Sequence, residues 1–149
     1  MYYDPSKGHG LPHNPFNAIV SPRPIGWVST RSKNGIDNLA PYSFFNAVAY
    51  TPPQVMFSAT SAKADQDGTK DTVANIRETG VFCVNIVSEK QLSEMNKSSQ
   101  ALSKEIDEFE FSDIEKQECN AINCPLVAGG PAALECKMTK IVKLYGQAN

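Results

Sequence analysis

Apolar runs and stretches where apolar and polar residues alternate with period two mark out the strands of this chain. An apolar run, Ile25 to Ser32, opens after Pro22-Arg23-Pro24. The chain turns at Asn34-Gly35, returns as Asn38 to Val48, breaks at Thr51-Pro52-Pro53 and leaves again as Gln54 to Thr60. Asn-Gly between two extended runs predicts a hairpin with a type I′ turn, which needs positive φ at both central residues. In the third run Val55, Phe57 and Ala59 form one row and Met56, Ser58 and Thr60 the other. Val81 to Val87 is almost continuously apolar, the pattern of a central strand, and Asn85 within it needs a partner if buried. Ala132 to Tyr145 alternates again and predicts a final strand.

Two short helices interrupt this series. Asp71 is expected to cap a helix that carries Val73 and Ile76 on one face and stops at Gly80. Ser88 and Gln91 have the spacing of a capping box, with Leu92 and Met95 sharing a face beyond it. Ala62 to Thr69 is polar and loose, and Gln100 to Asn123 reads as a long acidic surface excursion pinned by Ile106, Phe109 and Phe111. Adjacent carboxylates such as Asp107-Glu108 are expected to be solvated there. Strands without a βαβ rhythm predict an antiparallel barrel with short helices rather than a doubly wound sheet.

Composition narrows the class. The chain has 149 residues, 41% of them hydrophobic and 20% charged, with a formal charge of −2. That suits one soluble domain and lacks the basic face that nucleic acid requires. No apolar run has the length of a membrane span, and the N-terminus lacks the features of a signal peptide, so the expected location is cytoplasmic. The expected division is an irregular arm over residues 1–15, rich in Gly and Pro, and one domain over residues 16–149. His9 and His13 fall in the arm, which is expected to be exposed or to lie across a neighbouring subunit. Cys83, Cys119, Cys124 and Cys136 form no CxxC pair and have no histidine near them in sequence, so free thiols and no metal are expected.

Candidate chemistry starts with what is missing. GxSxG, P-loop, GxGxxG and HExxH motifs are absent, and both histidines lie in the arm. A chain without an obvious acid or base suits chemistry carried by a bound cofactor. Small polar residues in the first hairpin, Ser29, Thr30, Asn38, Ser43 and Asn46, sit among Trp27, Val28, Leu39, Phe44 and Phe45. Two readings stand side by side: a planar, partly polar ligand lying on the sheet, or strands whose polar residues face water. Ser29 and Thr30 point to opposite faces, so only one side chain can meet a ligand on a given face. Lys70 and Thr72 stand at the start of the first helix, where free N–H groups favour an anion; the alternative is a capped helix with a solvated lysine.

The ordered set Pro22-Arg23-Pro24-Ile25-Gly26-Trp27-Val28-Ser29-Thr30, Asn38-Leu39-Ala40-Pro41-Tyr42-Ser43-Phe44-Phe45-Asn46, Thr51-Pro52-Pro53 and Lys70-Asp71-Thr72 with Asn75-Ile76 resembles the flavin reductase-like, FMN-binding split-barrel proteins. The resemblance spans roughly residues 12 to 145. It implies a mainly β fold with short helices, a split antiparallel β-barrel. It implies an FMN-binding oxidoreductase that passes electrons from NADH or NADPH through FMN to flavin, iron or a partner protein; the alternative is a non-catalytic FMN carrier or sensor. It places flavin contacts at Val28, Ser29, Thr30, Asn38, Leu39, Ala40, Ser43, Phe44, Asn46, Lys70 and Thr72, with Arg23 and Arg31 as lesser phosphate candidates. It implies a homodimer with the flavin near the interface. Proteins of this kind continue beyond the strand matching Ala132 to Tyr145, so the domain is expected to be short at its C-terminus.

Overall fold

A computed structural model describes residues 2–60 and 68–145. Most of the expected loose stretch Ala62 to Thr69, and residues 146–149, lie outside the described residues. In chain order the regular elements are α1 (Pro15–Ile19), β1 (Gly26–Arg31), β2 (Asp37–Tyr42), β3 (Phe45–Tyr50), β4 (Pro53–Phe57), α2 (Asp71–Thr79), β5 (Val81–Asn85), α3 (Leu92–Lys97), α4 (Glu108–Ser112), β6 (Lys116–Glu118), β7 (Pro125–Val127) and β8 (Ala133–Lys137). Short 3-10 turns cover Pro5–Lys7 and Glu89–Gln91. Four antiparallel strands make the main sheet in the order β2-β1-β5-β8, and β3-β4 and β6-β7 form separate hairpins. These are open antiparallel sheets, where the sequence predicted strands closing into a barrel.

Period two divides β1 between two cores. Trp27 points to one face with Leu39, Met95, Phe109 and Val127. Val28 points to the other with Tyr42, Ile76, Phe82 and Val84. The β3–β4 hairpin folds over this second face, bringing Phe45, Val55, Phe57 and Ala59 onto it, so the row of Val55, Phe57 and Ala59 is the one that faces inward. Gly26 is what lets the hairpin lie so close: a Cβ there would sit 2.8 Å from the Phe45 ring. The opposite side of the hairpin leaves Val48, Tyr50 and Met56 exposed.

Several local expectations are corrected. The β1–β2 connection is not a type I′ turn, because Gly35 alone has positive φ, at 83°. Gly35 N donates to Ser32 O at 3.0 Å and Ser32 N to Ile36 O at 2.8 Å, the three-residue loop that closes with a left-handed glycine. The return strand does not run from Asn38 to Val48; it stops at Tyr42, and β3 restarts in another sheet after Ser43-Phe44. Helix α2 is capped by Lys70, with Asp71 as its first residue, while Gly80 is the left-handed stop expected. Its buried face carries Asp71, Thr72, Asn75 and Ile76. That face is polar because it hydrogen-bonds to the sheet: Asn75 Nδ2 donates to Thr30 Oγ1 at 3.0 Å, and Asn38 Nδ2 to Thr72 Oγ1 at 2.8 Å.

The acidic excursion holds structure of its own. Asp107 caps α4 through Phe109 N at 2.8 Å, and Phe109 is the anchor in the Trp27 core. Glu108 is not solvated; it is buried and accepts from Leu39 N at 3.3 Å. Asp37 binds Arg31 at 2.6 Å and Lys116 at 2.8 Å, tying the first hairpin to β6. The last strand ends at Lys137 rather than Tyr145. Asn85 finds its partners, donating to Trp27 O and Ser29 Oγ and accepting from Val127 N at 2.8 Å and from the Cys83 thiol at 3.9 Å.

Candidate active site

The break between β2 and β3 makes a cleft. Ser58 N donates to Phe44 O at 2.8 Å, which holds the end of β4 beside the Ser43-Phe44 step. Lys70, at the start of α2, comes up against the end of β2, its ammonium 5.6 Å over the Tyr42 ring. Arg23 approaches from the segment before β1 and stacks 5.2 Å over Phe44. Between them is a cavity of about 220 Å³ lined by Asn17, Arg23, Pro41, Tyr42, Ser43, Phe44, Ser58, Thr60 and Lys70. Among the described residues the lining carries two cations, four hydroxyls, one amide and no carboxylate. Such a donor set favours an oxyanion.

Electrostatics support the same end of the sheet. Lys70 caps α2 without contributing a side-chain acceptor to the helix. The first-turn N–H groups and the helix dipole favour an anion near the lysine, and the Asp71 carboxylate in the same turn opposes it. Burial pushes the Tyr42 phenol up to about 12, partly offset by the Thr72 hydroxyl, so Tyr42 is neutral at ordinary pH. Thiol chemistry is disfavoured: burial pushes Cys124 up to about 12 and raises Cys83, Cys119 and Cys136. Among the described residues no group of three His, Cys, Asp or Glu could hold a metal.

The expected site residues divide by position. Ser43, Phe44 and Lys70 line the cleft. Asn38 and Thr72 are buried beside it, bonded to each other. Ala40 is partly buried and packs on the Val28 core. Val28, Ser29, Thr30 and Leu39 are fully enclosed, each at 0% exposure. Ser29 Oγ donates to Pro125 O at 2.6 Å, and Thr30 serves Asn75, so neither hydroxyl is turned to the cleft. Asn46 is exposed on β3 and accepts from its neighbour Ala47 N. Arg31, a lesser phosphate candidate, is committed to Asp37, Glu118 and Asn123. The hollow thus lies at the end of β2 rather than on the face of the first hairpin. Asn17, Tyr42, Ser58 and Thr60 were not anticipated. Ser58 and Thr60 had a signal, since both fall in the row of the run Gln54 to Thr60 opposite Val55, Phe57 and Ala59.

A family described as flavin reductase like domain matches residues 20–148. The chain belongs to the flavin reductase-like family. A curated relative from Aquifex aeolicus is 40% identical over 127 residues, covering 85% of this chain and 64% of the relative. The chain spans between 53% and 64% of the length of the first curated relatives it matches. The solved structure of nitrilotriacetate monooxygenase component B from Bacillus cereus superposes with a TM-score of 0.87 at 28% identity, covering 99% of this chain and 72% of that one. An FMN-binding domain of a flavin reductases-like enzyme from Shewanella baltica superposes with a TM-score of 0.66 at 28% identity, covering 79% and 58%. This flavin reductase-like domain contains no helix, among its described residues, long and apolar enough to cross a membrane.

Proposed function

We propose that this chain is an FMN-dependent oxidoreductase that takes electrons from NADH or NADPH and passes them to free flavin, iron or a partner protein. The observation that carries the reading is the cleft at the end of β2, where two cationic side chains, Lys70 and Arg23, and four hydroxyls converge. The donor set fits a phosphorylated, hydroxyl-rich tail. FMN, when bound, accepts and delivers hydride equivalents itself. The protein's work is to bind and orient. Lys70 and the α2 first turn hold the phosphate, Ser43, Ser58 and Thr60 meet the ribityl hydroxyls, and Phe44 gives the ring an apolar contact. Asn38 and Thr72 fix α2 against the sheet, and Val28, Ser29, Thr30, Leu39 and Ala40 form the rigid layer behind them. The protein works in the cytoplasm, as residues 16–149 of one domain preceded by an arm.

The exposed Val48, Tyr50 and Met56 form an apolar face on the β3–β4 hairpin. Such a face suits burial against a second copy, which supports the homodimer. A second reading has its own observation. The cavity, at about 220 Å³, is smaller than the roughly 300–1,000 Å³ of small-molecule pockets. It admits the anionic tail and leaves no space for a nicotinamide, as suits an FMN carrier or sensor.

One experiment separates them. Purified protein reconstituted with FMN should retain a flavin spectrum through gel filtration, bleach with NADH or NADPH, and turn over with excess free flavin. Retained FMN without turnover favours the carrier. Protein that retains no FMN contradicts both readings.

A further inference from the structure

The N-terminal helix forms one wall of the cleft and is fastened there by Arg23. Asn17, within α1, lines the cavity, yet α1 buries none of its residues and leaves Phe16 and Ile19 exposed. Arg23 Nη1 donates to Asn17 O at 2.9 Å and to Val20 O at 2.5 Å, satisfying carbonyls at the C-terminal end of α1. The same guanidinium stacks on Phe44 across the cleft's lip. Among the described residues its Nη2 has no hydrogen-bond partner, and the buried Nε has none either.

We propose that Arg23 is a positioning residue that latches α1 over the cleft and tightens when an oxyanion occupies it. Nη1 holds the helix, the ring of Phe44 fixes the guanidinium plane, and Nη2 is left to meet the anion. A phosphate that accepts from Nη2 removes rotamers in which Nη1 releases the carbonyls, so ligand binding and the order of α1 are coupled. The choice of FMN as ligand rests on the functional reading above; the coupling itself needs only a phosphate group.

Amide hydrogen exchange tests it on the full chain. The reporters are Ala18 N, bonded to Asn14 O at 3.3 Å, and Val20 N, bonded to Phe16 O at 3.0 Å. Saturating FMN or inorganic phosphate should each slow both amides about tenfold in the wild type, and riboflavin should not. Arg23→Ala should abolish the slowing while FMN still binds, more weakly, through Lys70; Arg23→Lys should restore part of it. Equal slowing in wild type and Arg23→Ala overturns the latch. So does FMN binding that leaves Ala18 and Val20 unchanged. Phosphate protection without FMN binding supports the latch and overturns only the flavin reading. Binding of neither overturns both.

Discussion

Asn38 Nδ2 donates to Thr72 Oγ1 at 2.8 Å, joining the start of β2 to the first turn of α2, and both residues are buried. The bond fixes where the helix begins, and so where Lys70 stands relative to Tyr42 and Ser43. Thr30 and Asn75 make a parallel bond one turn further on. Two side-chain bonds thus join α2 to the sheet, in place of apolar packing alone.

Asn38→Ala breaks the first of these bonds and leaves the Thr72 hydroxyl without its donor. Urea denaturation should register a loss of about 1–3 kcal/mol. FMN affinity should fall severalfold as well, because the start of α2 is no longer held. Unchanged stability would mean that the bond is not formed in solution.

Gly26→Ala should be more damaging than its position in a strand suggests. The added Cβ meets two atoms of the Phe45 ring at 2.8 Å, and the ring belongs to the hairpin that carries the Ser43-Phe44 lip. A loss of about 1–3 kcal/mol is expected from overpacking. Gly26→Ala with Phe45→Leu should recover part of it. Thermal melts of both variants give the comparison.

Asp37→Asn removes the carboxylate shared by Arg31 and Lys116. Asp37 is almost fully enclosed, while its partners are partly so. Burial alone would lower Lys116, but Asp107 and Asp37 outweigh it and the ammonium is held above its usual range. The loss should be on the order of 3 kcal/mol in urea denaturation. Flavin binding, centred on the other face of the sheet, should change far less than stability.

Stability should fall at alkaline pH in a way that depends on Tyr42. Burial raises this phenol from 10.0 to about 12. A folded-state value above the unfolded one stabilises fully below pH 10 and loses that contribution as pH climbs toward 12, because the unfolded chain releases its proton first. Tyr42→Phe should show a smaller drop in urea midpoint between pH 9 and pH 11 than the wild type. Equal drops in the two proteins would contradict the assignment.

Much of this was legible in the pattern of residues. Val81–Asn85 is a strand because an apolar run of that length buries on both faces, and Gly80 stops α2 because it accepts positive φ at 75°. The hairpin at Asn34-Gly35 was legible but its turn type was not, since only Gly35 needed the left-handed region. The split at Ser43-Phe44 was hidden because no glycine marks it between Asn38 and Val48. Strands β6 and β7 have three residues each, too few for a period to register. Helix α1 had a signal that went unread: Asn14 before Pro15 is an N-cap followed by the residue best suited to the first helical position. For the cleft, motif residues led to Ser43, Phe44 and Lys70. The roles of Arg23 and Tyr42 depend on segments that meet only in three dimensions.

The most direct measurement is the affinity of FMN and of riboflavin for the wild type and for Lys70→Ala, by fluorescence titration. The wild type should prefer FMN, and Lys70→Ala should weaken FMN by about 1–3 kcal/mol, roughly 5- to 150-fold, while barely moving riboflavin. Equal affinity for the two flavins in the wild type, or FMN binding untouched by Lys70→Ala, would contradict a phosphate seated at the start of α2.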